Sequence, residues 1–141
     1  MKTTPYLVFR GNAEEAFNYY KDVLKGELNL MRYSEMPGDM KMPGDMAKKV
    51  MHVGLLVNGE AKLMGTDSFE GMGPKFTYGD SFFVSLEADS EKEGEETFAK
   101  LSEGGKIMME FKAQYWGDML GMCVDKFGVY WMILFNPKAA K

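Results

Sequence analysis

The stretches Asn12–Gly26, NAEEAFNYYKDVLKG, and Ser90–Gly104, SEKEGEETFAKLSEG, decide the fold because they read as one amphipathic helix occurring twice. In the first, Ala16, Phe17, Tyr20, Val23 and Leu24 recur at helical spacing. Asn12 with Glu15 three residues later makes a capping-box-like start, and Gly26 supplies the stop. In the second, Phe98 and Leu101 mark the apolar face, Ser90 with Glu93 the start, and Gly104-Gly105 the end. An offset of 78 residues pairs Tyr20 with Phe98, Val23 with Leu101 and Gly26 with Gly104, so faces and stops coincide.

Outward from each helix the period changes to that of strands. In residues 4–10 β-branched and aromatic residues dominate, with Pro5 near the start where a missing N–H is tolerated, and Leu28–Tyr33 resumes as a strand after the helix. Val50–Val57 and Glu60–Thr66 form a hairpin at Asn58-Gly59, the dipeptide suited to the two positive φ angles of a type I′ turn. After the connection 67–80, which holds Gly71, Gly73, Pro74 and Gly79, the order repeats. Ser81–Ala88 precedes the second helix, and Lys106–Lys112, Asp118–Val124 and Gly128–Phe135 follow it, the last two turning at 125–128. The last hairpins need an offset near 68, because the loop from Ser34 to Lys49 carries a Met-Pro-Gly-Asp-Met tandem only in the first half. That tandem is rich in turn formers and reads as a solvated loop. Two βαβββ units follow, hence an α+β chain organised as one domain over 1–141, with module one about 4–66, a linker about 67–80 and module two about 81–136.

Composition bounds the function. A chain of 141 residues with 45% hydrophobic and 27% charged residues fits one globular core. A net charge of −4 argues against nucleic acid, whose nonspecific capture needs clustered Lys and Arg. No apolar run approaches the length of a membrane span, and no apolar stretch of signal-peptide length follows Met1. With a single cysteine, Cys123, no disulfide can form within the chain, so the expected compartment is the cytoplasm and Cys123 is expected to be an inert structural thiol. The 14 methionines suit either a gap-filled core or an adaptable pocket, the core being the simpler reading.

Several motifs carry a resemblance. Pro5-Tyr6-Leu7-Val8-Phe9 runs into Gly11-Asn12-Ala13-Glu14-Glu15-Ala16 and Tyr19-Tyr20-Lys21, and Met51-His52-Val53 follows. Tyr115-Trp116-Gly117 leads through Gly121-Met122 to Asp125-Lys126-Phe127-Gly128-Val129 and Trp131-Met132-Ile133, and this last block is the specific one. With these features the chain resembles the vicinal-oxygen-chelate superfamily of glyoxalase, bleomycin-resistance and dioxygenase proteins, and within it the PhnB-like group. The resemblance implies a curved mixed and antiparallel sheet around a cavity, and a homodimer.

In metal-dependent relatives four His, Glu or Gln side chains meet inside the barrel. The resemblance puts Pro5, Met64, Phe83 and Met132 at those positions, none of them a usual ligand for zinc, nickel or iron. No resident metal or cofactor is expected, and no Gly-rich nucleotide loop follows a strand and opens a helix. If no bulge interrupts the first hairpin, positions summing to 117 pair, so Met64 shares a face with Val53 while His52 points away from the cavity. The cavity-lining set is then Leu7, Phe9, Val53, Leu55, Lys62, Met64, Thr66, Phe83, Ser85, Tyr130 and Met132. Trp116 either closes the pocket mouth or anchors its loop, the second being the simpler reading. Asp67, Asp80 and Asp118 read as solvated loop ends.

The function expected is metal-independent binding of a small, partly hydrophobic molecule. The alternatives are a metal-dependent lyase, dioxygenase or isomerase of the same superfamily, and a dimeric interaction module without a ligand.

Overall fold

A computed structural model of the chain describes residues 1–37, 44–69, 71 and 75–138. Most of the first Pro-Gly-Asp-Met repeat and parts of the 67–80 connection lie outside them. The chain forms two compact units, Met1–Phe76 and Thr77–Lys141.

In the first unit, β1 (Tyr6–Phe9), α1 (Ala13–Leu24), β2 (Glu27–Arg32), β3 (Val50–Val57) and β4 (Glu60–Asp67) follow in order. Short 3₁₀ turns form at Tyr33–Glu35, before the tandem, and at Gly44–Lys48, which holds most of its second repeat. The sheet order is β1-β4-β3-β2, with β1 parallel to β4 and the other pairs antiparallel. The second unit repeats the plan with β5 (Val84–Glu87), α2 (Glu91–Ser102), β6 (Lys106–Ala113), β7 (Met119–Val124) and β8 (Tyr130–Phe135), ordered β5-β8-β7-β6. The α+β class and both βαβββ units are as expected. β1 and β5 are shorter than the 4–10 and 81–88 expected, the parallel register with β4 and β8 covering only Tyr6–Phe9 and Val84–Glu87.

Each helix covers one face of its own sheet. In the first unit α1 buries Ala13, Ala16, Phe17, Tyr20 and Val23. The Phe17 ring meets Phe9 edge-on, with centroids 6.1 Å apart, and a Cβ added at Gly65 would lie 2.7 Å from it. In the second, Phe98 and Leu101 are buried, and a Cβ at Gly121 would lie 2.9 Å from Phe98. Burying each large side chain contributes roughly 1.5–3 kcal/mol, so the helix-covered faces hold each unit together.

Local signals explain most boundaries. Asn58 at φ 53° and Gly59 at φ 78° make the two-residue turn, with Val57 opposite Glu60. Ser90 accepts the Glu93 backbone N–H at 3.1 Å and caps α2. Asn12 behaves differently from expectation, for its side chain makes no cap. Asp67, at the end of β4, accepts the Gly11 and Ala13 N–H groups at 2.9 Å each through Oδ1, and the Val50 N–H at 2.9 Å through Oδ2. The expected solvated loop end is thus a buried carboxylate, 1% exposed, that caps α1 from across the sheet.

The helix stops also need correcting. The left-handed residue after α1 is Lys25, at φ 56°, whereas Gly104, at φ 76°, holds that conformation after α2. Gly26 is instead needed for close approach, since a Cβ there would collide with the Leu56 carbonyl oxygen; Gly105 stands likewise against the Val124 carbonyl oxygen. The helices therefore match at an offset of 78 and the glycines behind them at 79.

Candidate functional site

The face of each sheet opposite its helix carries the candidate site, and strand register decides which residues reach it. Two bulges set that register in the first unit. Leu56 pairs with Ala61 but Leu55 with Leu63, which leaves Lys62 as an extra residue on β4. On β3, Arg32 pairs with Val50 and Met31 with His52, leaving Met51 extra. The uninterrupted pairing expected from the sequence is therefore overturned, and Val53 lies opposite Gly65, not Met64.

This shift redistributes the expected lining. Leu7, Phe9, Val53 and Leu55 share the helix-covered side with Gly65 and are at most 5% exposed, so they are core residues of the first unit. Met64 and Thr66 lie on the uncovered side, opposite Tyr6 and Val8 of β1. The Thr66 hydroxyl is engaged by its own sheet, donating to the Met51 carbonyl at 2.7 Å. Lys62 sits in the bulge and pairs with Glu60 at 3.1 Å on the surface. Tyr6, not Pro5, is the first-strand residue facing outward beside Met64.

His52 moves to the opposite side from the one expected, joining Met31, Met64 and Tyr6 on the uncovered face. The Tyr6 hydroxyl lies 3.1 Å from His52 Nδ1, with ring centroids 5.7 Å apart. Partial burial raises the Tyr6 phenol above its ordinary pKa, with Tyr33 adding to the effect, so the phenol keeps its proton. Beside this pair, Gly54 faces outward between Met64 and Asn29. It is buried, yet a Cβ built there would meet only Leu56 Cδ1, at 3.9 Å.

In the second unit the expected residues fall together. Ser85 pairs with Met132, and Met132 with Met122, on the face away from α2. Phe83 meets Tyr130 edge-on with centroids 5.7 Å apart. Met64 and Met132 thus hold matching places, each on the strand that pairs in parallel with the first strand of its unit. Cys123 lies opposite Trp131 on the helix-covered side and is fully buried. Burial, with Asp125 adding, pushes its thiol up to about 11, so little nucleophilic thiolate forms at neutral pH. Trp116 donates Nε1–H to Asp118 at 3.2 Å within the β6–β7 turn, and Tyr115 packs on it edge-on. Asp80 is exposed.

A concavity of about 700 Å³ opens beside the start of α1, lined by Asn12, Glu14, Arg32, Lys49 and Asp67 among others. Its charges are largely spent on the fold. Arg32 grips Glu14 bidentately at 3.0 and 2.6 Å and also donates to the Lys48 carbonyl; Lys49 donates to the Gly11 carbonyl. The Arg32 hydrogen bonds hold the Glu14 carboxyl below its ordinary range despite some desolvation. Among the described residues, no three His, Cys, Asp or Glu side chains are grouped to hold a metal ion, and no helix is long and apolar enough to cross a membrane.

Sequence reasoning missed His52 and Gly54 because the bulge at Lys62 decides which β3 residues share the face of Met64, and missed Tyr6 by placing Pro5 beside Met64. Gly54 carried one signal, a glycine inside an otherwise β-branched and aliphatic strand.

Comparison with known proteins agrees with this architecture. Residues 1–134 match the family model described as 3-demethylubiquinone-9 3-methyltransferase. The chain is 31% identical over 145 residues to the protein YjdN of Escherichia coli, covering 94% of each. The crystal structure of PA1353 from Pseudomonas aeruginosa is 34% identical with a TM-score of 0.81, covering 96% of this chain and 98% of that one. The PhnB protein from Bacillus cereus, a putative 3-demethylubiquinone-9 3-methyltransferase by its description, is 29% identical with a TM-score of 0.74, covering 96% and 100%. A glyoxalase-related enzyme from Fulvimarina pelagi, 17% identical with a TM-score of 0.63 and covering 97% and 90%, shares the fold alone. The chain belongs to the PhnB-like, 3-demethylubiquinone-9 3-methyltransferase family, built on the glyoxalase/bleomycin-resistance fold.

Proposed function

We propose that this chain binds a small, partly hydrophobic molecule, without a resident metal, on the sheet faces its helices leave uncovered. The observation that carries this reading is the matched pair Met64 and Met132, each facing away from its helix, with Tyr6 beside Met64 and the Phe83–Tyr130 pair near Met132. Thioether and aromatic groups favour an apolar, polarizable ligand body and are poor donors for a hard divalent ion. Ser85 and Tyr130 add polar points that would orient such a ligand. We place the binding protein in the cytoplasm as a homodimer.

Methyl-¹³C methionine spectra test the reading. Addition of small aryl ketones and aryl carboxylates is expected to shift the Met64 or Met132 methyl saturably, and spectra in which neither moves would remove the proposal. Stoichiometric nickel, zinc or iron retained by the purified protein would overturn its metal-free part. Light scattering showing a monomer would overturn the dimer.

A further inference from the structure

On that reading of the uncovered faces, we infer that His52, seated by Tyr6 beside the Gly54 notch, is the hydrogen-bond donor of a subsite for a carbonyl- or carboxylate-bearing small molecule.

The pair supplies the donor. In the tautomer in which the Tyr6 phenol, 3.1 Å away, donates to Nδ1, the imidazole proton sits on Nε2, and no described residue takes that nitrogen. An Nε2–H group recognises an acceptor oxygen. The adjoining surface is apolar, formed by Met64 and Met31, both on the face of His52. Between Met64 and Asn29 the strand carries Gly54, buried, where an added Cβ would meet only Leu56 Cδ1, at 3.9 Å. This glycine answers neither a positive φ nor a close backbone approach, the two usual reasons for one in a strand. Its effect is to leave room for a flat group beside a fixed donor. The acceptor of the ligand thus meets His52, and its apolar body lies across Gly54 against the methionines.

Paired probes of like shape test this: acetophenone against cumene, and benzoate against toluene, titrated into methyl-¹³C methionine protein with ¹⁵N-labelled histidine. Acetophenone and benzoate are expected to shift the Met64 and Met31 methyls and the His52 Nε2 resonance, and to bind more tightly than their acceptor-free partners. His52→Phe keeps a ring but no donor and is expected to lower affinity for acetophenone about fivefold to tenfold while leaving cumene nearly unchanged. His52→Gln, which restores an N–H donor near the Nε2 position, is expected to regain part of that loss. Gly54→Val, a residue suited to strands, is expected to block both members of each pair. Acetophenone binding unaffected by His52→Phe and Gly54→Val overturns the assignment. A probe that moves Met132 and leaves Met64 and His52 silent also overturns it, while the broader binding reading stands. Silence at both Met64 and Met132 overturns both.

Discussion

The two units solve the same structural problem with buried aspartates in different places. Asp67 gathers amides from Gly11 and Ala13 at the start of α1 and from Val50 at the start of β3, so one carboxylate ties three segments far apart in sequence. Asp125 accepts from the Phe127 and Val129 amides and, at 2.8 Å, from the Trp131 indole, all within its own hairpin. In the second unit the helix start is left to Ser90, a local cap. One unit is therefore pinned by a long-range group and the other by short-range ones. The same topology can be secured at different points of the chain, and the cost of losing the pin should scale with how much backbone it organises.

That comparison sets the largest expected effect. Asp67→Ala should cost about 4 kcal/mol in urea unfolding, since it strands buried N–H donors from two junctions, whereas Asp125→Ala should cost about 2 kcal/mol because its donors all lie within one hairpin. Equal losses would remove the distinction. A smaller effect tests what the units share: Gly26→Ala and Gly105→Ala should each cost about 2 kcal/mol, because each new Cβ meets a carbonyl oxygen in the facing strand. A large loss at one and none at the other would break the correspondence at an offset of 79.

The Glu14–Arg32 pair belongs to the first unit only and gives a pH signature. Glu14 has a folded pKa below its ordinary 4.5, so its contribution is fully present above that value and disappears as pH falls through the lowered one. Both side chains are more than a third exposed, which limits the effect to under about 1 kcal/mol. The stability gap between the native chain and Arg32→Ala should be constant near neutrality and narrow on acidification below 4.5, the Lys48 carbonyl bond remaining; a gap independent of pH would show that the pair contributes nothing through charge. The smallest effect sharpens the helix stops. Lys25→Gly should stabilise by about 0.5 kcal/mol, because glycine removes the steric penalty of a left-handed lysine at some entropic cost, while Gly104 already has that benefit.

Element order was legible because it rests on periods and turn dipeptides, as the helices Ala13–Leu24 and Glu91–Ser102 and the Asn58-Gly59 turn show. Much of the uncovered face was not, because a strand presents alternate residues to opposite sides and one extra residue reverses the assignment. Lys62 is such a residue, and it put Val53 and Leu55 in the core with His52 on the other face. In the second unit no bulge separates β7 from β8, and Ser85, Tyr130 and Met132 fell where periodicity put them. Asp67 was misread for a different reason. Nothing in the local sequence announces that a carboxylate at a strand end will meet amides more than fifty residues away.

Cys123 turns the second unit into its own clock. The chain has this one thiol, fully buried against Trp131's strand and held protonated, so an alkylating reagent can reach it only when that unit opens. The rate of labelling under native conditions then reports the opening of the second unit around Cys123, the first unit having no cysteine of its own.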